Sequence, residues 1–191
     1  MNTLFSHVCV VTMDDRMSVW TDAFVGVTDG KISYLSKHAP EEKPDQIIDA
    51  TGMVLMPGLI NCHTHLPMQL LRGYADDLKL QEWLNDYIFP REDRLDGRCV
   101  RAATTLAVAE CLKFGVTSVS DMYYFCDDIC DVIAKSGMKA NISRGTSMFL
   151  GDDFDFEKFP ACQELVALKE KWHNYDGGRI KIEASIHAEY T

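Results

Sequence analysis

The residues of this chain whose type and spacing best suit chemistry are two histidines one residue apart, His63 and His65. Neutral imidazole is the commonest metal ligand among side chains. Residues two apart in a strand point to the same face, so a strand carrying this pair presents two ring nitrogens side by side. The pair follows Pro57-Gly58 and the apolar Leu59-Ile60, as the end of a strand would. At the C-terminal mouth of a parallel β/α barrel, strand ends are where active sites collect. The triplet alone is a weak motif, because two exposed loop histidines would read the same way. The spacing predicts a first barrel strand ending at His63, with both imidazoles converging on one point.

Other reactive patterns are less productive. His187-Ala188-Glu189 spells the H-x-E of the cytidine-deaminase type, but no Pro-Cys-x-x-Cys follows to complete that zinc site. The sequence has neither a glycine-rich phosphate loop nor a Gly-x-Ser-x-Gly elbow. The seven cysteines include no C-x-x-C pair. Cys126 and Cys130 are spaced for one face of a helix and read as small buried side chains. His7, His38 and His173 stand in strand-edge, loop and helix-end contexts and receive no role. The loop phenylalanines Phe149, Phe154, Phe156 and Phe159 read as local packing.

The elements that would position the histidines change character along the chain. Val8–Val11, Ala23–Val27 and Lys31–Leu35 are short β-rich runs, and Asp29-Gly30 between the last two is a hairpin signal. The two-proline stretch His38–Asp45 reads as a surface loop, followed by strands Ile47–Ala50 and Met53–Met56. Beyond Pro57-Gly58, strands alternate with helices. A helix is predicted over Asp93–Phe114 and stopped by Gly115, then a strand over Val116–Ser120. A helix over Asp127–Lys135 is closed by Gly137 and followed by a strand over Lys139–Ser143. A helix over Pro160–Trp172, ended by Gly177-Gly178, leads to a strand over Arg179–Ile186. This is the β/α alternation of a parallel sheet. A closed barrel takes about 250 residues, so the pattern is half of one, and the chain reads as a piece of something longer.

Composition sets the class. The chain has 191 residues, an apolar fraction of 47 % and a formal charge of −10. These values suit a globular domain rather than a disordered one. The acidic balance argues against nucleic acid or an anionic membrane as the main partner. The start, Met1-Asn2-Thr3-Leu4, has neither the basic region nor the apolar run of a signal peptide. No stretch is long and apolar enough to span a bilayer, and the reading is a cytoplasmic protein.

The stretch Met56-Pro57-Gly58-Leu59-Ile60-Asn61-Cys62-His63-Thr64-His65 resembles the hallmark of the amidohydrolase superfamily. The continuation Leu66–Leu78, Glu82-Trp83-Leu84, Phe89–Leu95 and Gly115–Tyr123 is similar to the branch of 5-methylthioadenosine/S-adenosylhomocysteine deaminases and triazine hydrolases. The resemblance implies an α/β fold: the first half of a metal-dependent (β/α)8 TIM barrel (residues 57–191) preceded by N-terminal β-sandwich strands (residues 1–56). It covers the whole chain, which matches somewhat under half of a usual family member.

Carried over, His63 and His65 match the first two ligands of a zinc ion. Glu92, Arg144 and His187 match substrate-contacting groups, with Glu92 suited to ribose hydroxyls. The three are expected to face the cavity of the His pair. From the residues alone, Glu92 reads as a solvated helix-start glutamate beside Arg91, Asp93 and Arg94, and Arg144 as a strand-end surface residue. The family's second arginine has no counterpart in Gly151–Phe156. The implied reaction is zinc-dependent hydrolytic deamination of an adenine nucleoside thioether. The partner is then a small purine nucleoside, with a homo-oligomer left open. The third metal histidine, the proton-shuttling Glu and the metal-bound Asp of the family lie on later strands. Another amidohydrolase, such as a guanine deaminase or triazine-type hydrolase, and a catalytically inactive fragment stand as alternatives.

Overall fold

A computed structural model describes residues 1–148 and 153–188. The chain divides into two compact units, Met1–Pro57 and Gly58–Thr191.

The first unit is a five-stranded mixed sheet. Strands β1 (Thr3–Val11), β2 (Val19–Thr28) and β3 (Lys31–Ser36) run antiparallel to their neighbours. Strands β4 (Gln46–Asp49) and β5 (Val54–Leu55) both pair parallel with β1. Asp29 and Gly30 form the two-residue turn between β2 and β3, both at positive φ, as their types anticipate. Val8, Val10, Ala23, Val25 and Ala50 form a small buried core.

The second unit carries the barrel strands. Strands β6 (Leu59–Thr64), β7 (Val116–Tyr123), β8 (Lys139–Thr146) and β9 (Ile180–Ile186) pair in parallel in that order. Helices α3 (Gly97–Lys113), α4 (Cys126–Ser136) and α5 (Pro160–Trp172) connect them. The core lies where Val119, Ala140, Ile142, Ile180 and Ile182 of the sheet meet helix residues such as Val100, Val108, Ile129, Ile133 and Leu168. Cys126 and Cys130 are both buried in it, and burial pushes the Cys126 thiol up to about 12. A Cβ at Gly58 would overlap the Thr117 side chain, which is why β6 enters the sheet through a glycine.

The helical segments differ from the sequence reading in places. The long helix begins at Gly97 rather than Asp93, because Asp96 is extended and its carboxylate accepts the Cys99 amide at 2.7 Å as an N-cap. Helix α5 spans Pro160–Trp172 as predicted, but Gly177-Gly178, expected to end it, lie further on, at positive φ in a kinked segment α6 (Tyr175–Gly178). A helical run after β6 had no counterpart in the sequence reading. It comprises a 3₁₀ segment (Leu66–Leu71), α1 (Leu80–Glu82), a π-helical stretch (Trp83–Ile88) and α2 (Phe89–Glu92). Among the described residues, no helix is long and apolar enough to cross a membrane.

Candidate active site

Strand β6 runs one residue further than expected, to Thr64, with His65 just beyond it. The His63 and His65 ring centroids lie 5.1 Å apart at 81°. His65 Nδ1 is 2.6 Å from the Met122 carbonyl oxygen. A carbonyl only accepts, so Nδ1 carries the hydrogen, and in the neutral ring the lone pair is then on Nε2. The backbone around His65 is tied to β7. The Leu66 amide donates to Asp121 Oδ1 at 2.6 Å, and the Thr64 hydroxyl reaches the same oxygen at 2.8 Å and the Ser120 carbonyl at 3.0 Å. Asp121 is 1 % exposed, and burial raises its carboxyl from the ordinary range to about 6.

A cavity of about 240 Å³ opens against the pair. His63, His65, Glu92, Tyr123 and His187 are among its polar lining, with Trp83 and Leu84 among its apolar walls. Glu92 is the last residue of α2 and is half-buried, not a solvated helix-start residue. Its carboxylate accepts the Tyr123 hydroxyl at 2.6 Å, and burial raises its pKa against the opposing effect of that bond. Burial, and then the same contact, raise the Tyr123 phenol. His187 follows β9, where its amide donates to the Thr146 carbonyl at 2.9 Å.

Arg144 departs from the expected arrangement. It lines an adjoining cavity of about 970 Å³, not the one lined by the histidines. Its Nε donates to Glu164 at 2.5 Å, its guanidinium also meets the Gly145 carbonyl, and it stacks 4.7 Å from the Tyr124 ring centroid. These three contacts hold it in that adjoining cavity. The two cavities share Phe89, Glu92, Tyr124 and Ser147, so they adjoin at Glu92. Phe154 and Phe159 pack at 5.6 Å, while Phe149 lies outside the described residues, as do Gly151 and Asp152 of the arginine-free segment.

Sequence reasoning assigned no role to Asp121, Met122, Tyr123 or Trp83. One signal was available: Val119, Asp121 and Tyr123 share a strand face, and an acid between two core positions needs a reason to be there.

Residues 54–191 match the sequence model of the amidohydrolase family. The chain belongs to that family. The 5-methylthioadenosine/S-adenosylhomocysteine deaminase of Thermoanaerobacter pseudethanolicus is 34 % identical over 100 % of this chain and 44 % of its own length. The 5'-deoxyadenosine deaminase of Methanosarcina acetivorans is 38 % identical over 98 % of this chain and 43 % of its own. The chain thus spans under half the length of these curated amidohydrolases. An adenosine deaminase from Xanthomonas campestris, solved with bound zinc, superposes with a TM-score of 0.83 at 30 % identity, over 97 % of this chain and 42 % of that one. A zinc complex of atrazine chlorohydrolase from Arthrobacter aurescens gives a TM-score of 0.84 at 22 % identity, over 96 % and 46 %, a likeness of fold. The amidohydrolase barrel half, with a β-rich unit before it, is the architecture that the sequence predicted.

Proposed function

We propose that this chain carries the N-terminal part of the active site of a zinc-dependent hydrolase that deaminates an adenine nucleoside of the 5-methylthioadenosine or S-adenosylhomocysteine type. The observation that supports this most is the gathering of His63, His65, Glu92 and His187 around one cavity. The deaminase names of relatives at 34–38 % identity agree with it.

The two imidazoles fit a zinc ion. Their rings are adjacent, and the Met122 carbonyl holds His65 in the tautomer with Nε2 free. When bound, such a cation supplies Lewis acidity that makes water nucleophilic at neutral pH. A catalytic zinc takes about three protein ligands; His63 and His65 supply two. Among the described residues, no group of three or more His, Cys, Asp or Glu could hold a metal.

The chain's other residues bind and orient. Trp83, Leu84, Ile88 and Phe89 offer apolar walls for a flat purine. Glu92, fixed by Tyr123, is placed to accept hydrogen bonds from ribose hydroxyls. His187 contacts the substrate from the end of β9, and Arg144 waits in the adjoining cavity for a group projecting past Glu92. In the reaction, water adds at C6, the bond from C6 to the exocyclic nitrogen breaks, and ammonia leaves with the proton that water gives up. The partner is a small molecule rather than nucleic acid or a membrane, in keeping with the acidic sequence, and the setting is the cytoplasm.

The test is ammonia release from 5-methylthioadenosine, S-adenosylhomocysteine and adenosine with zinc present. It is run on this chain alone and on this chain joined to the remaining segment of the Thermoanaerobacter relative. Turnover in the joined form, abolished by His63→Ala, is the expected result. Ammonia from guanine, or displacement on a triazine ring, with no turnover of any adenine nucleoside would overturn it.

A further inference from the structure

Asp121 is a buried carboxylate for which the deaminase chemistry above has no use. It is 1 % exposed, and its Oδ2 has no hydrogen-bond partner among the described residues. A buried charged group with one idle oxygen is costly, so its working oxygen has to explain its presence. That oxygen, Oδ1, accepts from the Thr64 hydroxyl and the Leu66 amide, the residues immediately before and after His65. The residue following Asp121 is Met122, whose carbonyl takes the His65 Nδ1 hydrogen. Residues 121 and 122 of β7 therefore hold the backbone on both sides of His65 and the ring itself.

On the reading of His63 and His65 as metal ligands, we propose that Asp121 is a positioning residue for His65. By clamping Thr64 and Leu66 it sets the depth at which the His65 ring meets the Met122 carbonyl, and so selects the Nδ1–H tautomer that leaves Nε2 free toward the cavity. Both bonds are accepted by a carboxylate oxygen, which makes the clamp stiffer than a neutral acceptor would. Removing it leaves the Leu66 amide without its acceptor and the Thr64 hydroxyl with the Ser120 carbonyl alone, where the chain turns from β6 into the 3₁₀ segment, and lets the ring slip from its carbonyl.

The tautomer of His65 is read directly by long-range proton–nitrogen NMR on the metal-free 191-residue chain, with a His65→Gln sample assigning the signals. The wild type is expected to show His65 protonated at Nδ1. Asp121→Ala is expected to shift it toward Nε2–H, and Asp121→Asn, which keeps Oδ1, to restore the wild-type pattern. A folded Asp121→Ala chain with an unchanged His65 tautomer overturns the proposal. Should Asp121→Ala not fold, Thr64→Val removes one arm of the clamp with the shape retained. A smaller shift in the same direction then supports the proposal, and none overturns it.

Zinc affinity, followed by competition with a chromophoric chelator, is the second measurement. A fall of about 10–100-fold in Asp121→Ala is the size of effect that groups behind a ligand have. A tautomer shift in a chain whose wild type binds no zinc supports the clamp and counts against the metal reading, so the two fail separately.

Discussion

Tyr123 donates its hydroxyl hydrogen to the Glu92 carboxylate across 2.6 Å, joining the end of β7 to the end of α2, while its ring lies 6.2 Å from that of His65. One tyrosine thus borders both the His pair and the carboxylate assigned to substrate. Burial raises the Glu92 pKa and the Tyr123 bond lowers it. Tyr123→Phe should therefore raise the Glu92 pKa further, at little cost to the fold. Carbon-13 NMR titration of the Glu92 carboxyl checks this, and a fall in pKa would contradict the hydrogen bond as the restraining influence.

The same carboxyl gives a pH dependence with a definite sign. A folded pKa raised above the ordinary 4.5 means that the folded chain binds the proton more tightly than the unfolded chain. The stability this confers is full below about pH 4.5 and is lost as pH rises through the folded value. Glu92→Gln cannot ionise, so its melting temperature relative to wild type should climb between pH 4 and neutrality. A difference that stays flat, or falls, would mean that Glu92 is not the buried acid described.

Zinc should stabilise the folded chain through the His pair. A ligand that binds only the folded state adds about 2.7 kcal/mol at a hundred times its dissociation constant. The thermal midpoint of the wild type is expected to rise with added zinc, and that of His63→Ala or His65→Ala to rise much less. Equal shifts in all three proteins would place the zinc elsewhere.

Glu164 occupies the Arg144 guanidinium in the cavity next to Glu92. The carboxylate is half exposed, so Glu164→Gln should change stability by under about 1 kcal/mol. Its expected effect is on preference, measured in the joined form. With Arg144 released, kcat/KM for the carboxylate-bearing S-adenosylhomocysteine should rise relative to 5-methylthioadenosine. A ratio that does not move would remove Arg144 from the list of substrate contacts.

Local patterns were legible where local chemistry decides. Asp29-Gly30 specifies a turn because both residues tolerate positive φ, and the structure holds both there. Gly137 closes α4 at φ +80° for the same reason. Helix α5 starts at Pro160, whose missing N–H costs nothing in the first turn. Helix α3 starts at Gly97 rather than Asp93 because Asp96 turns its carboxylate onto the Cys99 amide, a contact that the helical spacing of apolar residues does not reveal. The 83–88 stretch was not read as helical because its π-helical turn departs from the period that such a reading uses.

The sequence by itself determined the alternation of parallel strands and helices, the side-by-side histidines and the family, because strand period, turn residues and motif spacing are properties of neighbours along the chain. The tertiary structure decided which groups meet. Tyr123 and Glu92 are 31 residues apart, Asp121 and Leu66 55 apart, and His65 and Met122 57 apart. Their contacts follow from the parallel register of β6 against β7 and from the path of the helical run after β6. Arg144 shows the converse: its place at a strand end was readable, but Glu164 and Tyr124, brought alongside by α5 and β7, decide which cavity it faces. Hydrogen-bond partners and burial are set by packing across the sheet, and no pattern of neighbours along the chain encodes them.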